Sequence, residues 1–111
     1  FEEAGELERL VQGLGAAARR FATGTYLVWY PIKDVRPLRR FERDVAALAL
    51  PKVLSVELMI RAPDDATRLN GCGMLIVNPP YRLADQLETL LPTLTDVLAT
   101  GPGATSRIVP I

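Results

Sequence analysis

The 111 residues predict an α/β fold: the carboxyl-terminal half of a two-layer domain, built on a mixed sheet whose last strand pair is antiparallel. Three observations predict it. Apolar residues recur at helical three-and-four spacing in three stretches, a strand-like run without alternation lies between two of them, and one connection is too short for a parallel crossover.

The bulk numbers narrow the classes. A chain of this length with 49% apolar residues forms one domain with a modest core. Thirteen basic and thirteen acidic side chains cancel, so any polyanion must be met locally. Cys72 is the only cysteine and histidine is absent, which excludes an internal disulfide, His-based triads and His- or Cys₄-type zinc sites. No apolar run approaches the roughly 18 residues a membrane helix needs. These features suit a metal-free protein of a reducing cytoplasm.

The first helix follows from Leu7, Leu10, Val11, Leu14, Ala17, Ala18 and Phe21 on one stripe. Acidic residues precede it, Arg19 and Arg20 close it, and Gly24 stops it. Residues 25–30 read as a central strand covered on both faces and ended by Pro31. Asp34 caps a second helix, with Pro37 in its first turn and Leu38, Phe41, Val45 and Leu48 as its buried stripe. Residues 53–61 alternate, with Leu54, Val56, Leu58 and Ile60 on one side and Ser55, Glu57 and Arg61 on a wetter one. The loop from Ala62 to Gly71 lacks the length and helical pattern of a crossover, so the strand from Cys72 to Val77 runs antiparallel to the preceding one. Asn78-Pro79-Pro80 opens a third helix, striped by Leu83, Leu87, Leu90, Leu91, Leu94, Val97 and Leu98 and kinked at Pro92. A turn at Gly101-Pro102-Gly103 leads to a short last strand, Ser106 to Val109.

A doubly covered strand at residues 25–30 needs parallel neighbours from outside the 111 residues. Finding these six residues at a solvent-lapped border, or flanked only by oppositely running neighbours from within the 111, would overturn this reading.

Several segments are candidates for chemistry. Asn78-Pro79-Pro80-Tyr81 has the form of the Asp/Asn/Ser-Pro-Pro-aromatic motif that holds an exocyclic amine and stacks on a flipped base. Ligands of open α/β sheets bind at the carboxyl ends of parallel strands, and an antiparallel strand ends on the other edge, so capping is the preferred role for Asn78. Loss of that cap is expected to cost on the order of 1 kcal/mol. A DNA amino-methyltransferase using Asn78 is the rival. Arg36, Arg39, Arg40 and Arg43 share a helix face opposite Leu38 and Phe41 and form a candidate RNA-phosphate stripe, against the plainer reading of a solvated face. Trp29 and Tyr30, at a strand end, are substrate-side candidates or simply core.

Phe21-Ala22-Thr23-Gly24 leading into Trp29-Tyr30-Pro31, Gly73-Met74 leading into Asn78-Pro79-Pro80, and the closing Ile108-Val109-Pro110 closely resemble the RlmJ family. These are bacterial enzymes that methylate N6 of an adenine in 23S ribosomal RNA with S-adenosylmethionine. The resemblance covers essentially the whole chain and implies a Rossmann-like class I methyltransferase, monomeric when complete, whose last strand pair is antiparallel. It also implies that Phe1 is the aromatic residue of the family's Asp-Pro-Pro-aromatic motif, stacking on the target adenine. The glycine-rich donor-binding segment and the catalytic aspartate would lie upstream, so these residues alone are expected to bind no donor and to be inactive. The competing class is a stand-alone interaction module that pairs through its exposed sheet side.

Overall fold

The computed structural model describes residues 5–111. The order is α1 (Glu6–Arg20), β1 (Tyr26–Ile32), α2 (Val35–Ala46), β2 (Val53–Met59), β3 (Gly71–Val77), α3 (Leu83–Leu98) and β4 (Thr105–Pro110). All seven expected elements form, for the reasons their spacing gives. The acidic start and basic end of α1 complement its dipole. Asp34 caps α2 by accepting a hydrogen bond from the Arg36 backbone N–H at 3.0 Å.

The four strands form one sheet in the order β1-β3-β2-β4, and every neighbouring pair is antiparallel. The short loop after β2 thus does what its length required. The mixed sheet does not appear among the described residues: β1 and β2 run the same way, but β3 separates them.

The expectation of a doubly covered central strand fails as well. β1 is a border strand with one opposite-running neighbour, and Leu27 and Trp29 on one of its faces stay 62% and 54% exposed. Both conditions that would overturn the reading of β1 as a central strand are met among the described residues, so its lack of alternation is no evidence of parallel neighbours. Pro31 does not end the strand but lies within it, paired with Cys72. A border strand tolerates a residue that lacks an N–H.

The register sorts side chains into two faces. Tyr26, Val28, Tyr30 and Ile32 share a face with Val77, Leu75, Gly73 and Gly71, with Val53, Ser55, Glu57 and Met59, and with Thr105, Arg107 and Val109. On it Leu14 of α1 and Leu38, Phe41 and Val45 of α2 join Tyr30, Ile32, Val53, Met59, Leu75 and Val77 in one buried core. Tyr30 and Phe41 meet edge to face, centroids 5.7 Å apart. α3 packs instead along β2 and β4, and Leu91, Leu54 and Ile76 are buried apart from that core. Helices thus flank the sheet on both faces, a layer more than expected.

The β2 alternation holds, but its polarity is inverted. Ser55 and Glu57, expected to face water, are 0% and 2% exposed, whereas Val56 and Leu58 are only partly buried. The cause is α2, which lies over the polar side and supplies partners to it.

Asn78 does not cap α3. It is the residue after β3, in the left-handed region at φ 54°, and α3 starts later, after Arg82 at φ 68°. The two prolines and Tyr81 form a separate turn between strand and helix. Pro92 lies inside α3, which continues to Leu98.

Candidate functional site

One cross-strand row carries Tyr30, Gly73, Glu57 and Arg107 on β1, β3, β2 and β4 in turn. Arg39 and Glu42, three residues apart on α2 and so on one side of it, descend onto this row. Arg39 grips Glu57 with two nitrogens, each at 2.9 Å, and reaches Glu42 at 2.7 Å. Arg107 grips Glu42 at 2.7 and 3.1 Å and lies 3.6 Å from Glu57. The Tyr30 hydroxyl donates to Glu57 and the Ser55 hydroxyl to Glu42, each at 3.4 Å. Two carboxylates and two guanidiniums thus close a neutral cluster, each buried charge matched by a planar, two-pronged donor.

Gly73 makes the row possible. A β-carbon there would collide with the edge of the Tyr30 ring and its hydroxyl, so only glycine lets the tyrosine lie across β3 toward Glu57. Burial pushes the Tyr30 hydroxyl pKa up to about 12, and the Glu57 and Glu42 carboxylates push the same way. The hydrogen bonds from Arg39 to Glu57 hold its guanidinium even more firmly protonated than usual. The carboxylates are consumed by these contacts, and the cluster acts as a clamp between α2 and the sheet.

The sequence-predicted residues separate accordingly. Of the four arginines, Arg36, Arg40 and Arg43 share an exposed face, while Arg39 turns inward to the cluster, so the four do not form one stripe. Arg36 is bound to Asp34 at 2.7 Å, which holds the Asp34 carboxyl below the usual carboxylate range. Trp29 is exposed on the open face of β1, whereas its neighbour Tyr30 is fully buried in the core. Phe1 lies outside the described residues. Sequence reasoning missed Glu42, Glu57, Ser55, Gly73 and Arg107. The available signal was Arg39 and Glu42 at helical spacing above a strand with a second glutamate.

Asn78 is engaged elsewhere. Its side-chain N–H groups donate to the carbonyls of Ala22 at 2.9 Å and Gly24 at 2.8 Å, and Thr25 Oγ1 donates to its carbonyl at 2.9 Å. These bonds tie the Asn78 side chain and backbone to the loop before β1.

The described residues do not by themselves fit a methyl donor. The buried carboxylates are already matched by arginines, and Gly71 and Gly73 are packed against Met59 and Tyr30 rather than open to a ligand. Among the described residues no group of three or more His, Cys, Asp or Glu is placed to hold a metal ion, and no helix is long and apolar enough to cross a membrane.

A family model described as Ribosomal RNA large subunit methyltransferase D, RlmJ, matches residues 1–109. The chain belongs to the RlmJ family. It is 33% identical over 113 positions to the ribosomal RNA large subunit methyltransferase J of Escherichia coli K12. It is 32% identical to the protein of the same name from Haemophilus influenzae. In each case the match covers 99% of this chain and 40% of the relative, so the chain spans well under half the length of the relatives it matches. A crystal structure of a Legionella pneumophila protein superposes with a TM-score of 0.81 at 29% identity, over 99% of this chain and 39% of that one. The RlmJ resemblance seen in the sequence is thereby established, and so is the part-length relationship.

Proposed function

We propose that the chain is the carboxyl-terminal part of an S-adenosylmethionine-dependent methyltransferase that modifies N6 of an adenine in 23S ribosomal RNA in the bacterial cytoplasm. The match over residues 1–109 to ribosomal RNA methyltransferases more than twice as long carries this reading. Donor binding and the catalytic Asp-Pro-Pro belong to the portion outside these residues, with Phe1 as the stacking aromatic at its border. Arg36, Arg40, Arg43 and Trp29 are the residues here proposed to face RNA, while Tyr30 and Arg39 hold the scaffold. In this reading the domain is a Rossmann-like half, and the free edge of β1 takes a strand running parallel to it. The unpaired edge of β1, with its free backbone N–H and C=O groups, supports that arrangement, and the exposed Leu27 and Trp29 call for a covering element on their face.

The test is methyl transfer by the full-length gene product. Radiolabelled donor and 23S ribosomal RNA from a strain lacking the modification should yield labelled N6-methyladenine. The 111 residues alone should yield none and bind no donor. A full-length protein that transfers no methyl group to this RNA would sink the reading.

The same open edge favours a second reading, an interaction module that pairs through β1 without catalysis. The encoding gene separates the two: an upstream glycine-rich loop and Asp-Pro-Pro support the enzyme, and their absence supports the module.

A further inference from the structure

The amino-terminal end of β1 and the carboxyl-terminal end of β3 meet at one rim of the sheet, opposite the end where β1 points. Two aromatic rings stand in solvent there: Phe21 at 62% exposure and Tyr81 at 93%. Their loops are tied together. Asn78 donates from its side chain to Ala22 and Gly24, and from its backbone to Lys52 at 2.9 Å. The Tyr26 hydroxyl donates to the Phe21 carbonyl at 2.6 Å, and the Phe21 ring lies over Gly24. Tyr81 is three residues from Asn78, a span of at most about 10 Å. Pro79 and Pro80 stiffen that span, and Arg82, in the left-handed region at φ 68°, ends it.

The loops that carry the two rings are rich in basic residues: Arg19 and Arg20 precede Phe21, Arg82 follows Tyr81, and the Lys52 carbonyl accepts the Asn78 backbone bond. Among the described residues no ion pair is formed by these four. Asp85 is the one acidic residue within four positions of any of them. A helix carboxyl end draws arginines for its dipole alone, so Arg19 and Arg20 by themselves point to nothing. Two rings held in water on a shared, hydrogen-bonded frame add the missing element. Basic side chains take phosphates, and exposed rings take the faces of unpaired bases.

We propose that this rim binds a single-stranded segment of RNA, with bases stacked on Phe21 and Tyr81 and phosphates held by Arg19, Arg20 and Arg82. The proposal rests on the RNA substrate reading above and adds a second contact to it. β1 is seven residues long, which puts the rim about 23 Å from the other end of the strand. On the reading that the target adenine lies at the carboxyl end of β1, the segment bound here flanks it and contributes affinity without touching the reaction.

The test uses the full-length protein and a short fluorescent single strand of mixed sequence, with the matching duplex as control. Wild type should prefer the single strand, and Tyr81→Ala should weaken that binding roughly tenfold. Tyr81→Phe should restore it, since stacking needs the ring and not the hydroxyl. Phe21→Ala with Tyr81→Ala should abolish the preference, and Arg82→Gly should lower the salt dependence by about one phosphate contact. The melting temperature should hold in the Tyr81 variants. Unchanged affinity in Tyr81→Ala and in the double variant would overturn the proposal. So would protection of Tyr81 from chemical modification in the RNA-free full-length protein, which would assign the ring to the rest of the polypeptide. A wild type that binds no RNA overturns the parent reading too, whereas binding with unaffected variants overturns this one alone.

Discussion

The two faces of the sheet are unlike each other, and the difference is opposite to what their side chains suggest. The face bearing Ser55, Glu57 and Arg107 looks wet in sequence but is sealed under α1 and α2. The other face of β1 bears Leu27 and Trp29, looks like core, and is open. Exposure here is set by what the neighbouring elements supply. Arg39 and Glu42 arrive from α2 and Arg107 from β4, and together they make burial of Glu57 tolerable.

The sharpest way to break the sealed face is to remove its central charge. Glu57→Ala leaves Arg39 and Arg107 sharing one carboxylate and frees the Tyr30 hydroxyl. Losing one member of a buried ion pair costs about 3–5 kcal/mol, and the partial exposure of both arginines favours the lower end. Urea unfolding at neutral pH checks this. A loss under 1 kcal/mol would mean that the cluster is solvated in solution and that the two faces are not different in kind.

Alkali probes the same face without mutation. The Tyr30 hydroxyl titrates near 12 in the fold and near 10 in the unfolded chain. Between those values the folded state retains a proton that the unfolded state has released. Stability is therefore fully present below pH 10 and falls as pH rises toward 12, by about 1.4 kcal/mol per unit at most. Tyr30→Phe removes that slope and flattens the stability profile across the window. If the profile is equally steep in Tyr30→Phe, another group is responsible and the sealed environment of Tyr30 is in doubt.

Much of this fold was legible because it is local. Helical spacing located α1, α2 and α3, Asp34 announced its cap, and a ten-residue loop fixed β3 antiparallel to β2. What was not legible is what depends on distant partners. Nothing near Glu57 in sequence foretells Arg107 on the last strand, and Arg39 differs from Arg40 only by one step around the helix. The missing alternation in β1 suggested cover on both faces, and the cover is absent among the described residues. The family resemblance was legible because its motifs are spaced along the whole chain.

Asn78 shows how a correct residue was given the wrong reason. Its stabilising role was expected from a helix cap, but it joins the loop before β1 to the end of β3. Asn78→Ala removes two hydrogen bonds and puts a β-branchless but non-glycine residue at φ 54°. About 2 kcal/mol should be lost. Asn78→Gly keeps the backbone easy and loses the bonds alone, so it should cost less. Equal losses would show that the left-handed conformation contributes nothing.

The smallest effect is expected on the open face, and it tests the comparison most directly. Leu27 lies at the border, and in the 111 residues its side chain meets more water than protein. Leu27→Thr retains a residue suited to a strand and should change the stability of this chain by no more than about 0.5 kcal/mol. The same substitution in the full-length protein should cost 1 kcal/mol or more if the remaining polypeptide covers β1, on the order expected for burying part of an apolar side chain. Equal, small losses in both would mean that the face stays open in the whole protein. The apolar border would then be a surface for another molecule, and the interaction-module reading would gain what the enzyme reading loses.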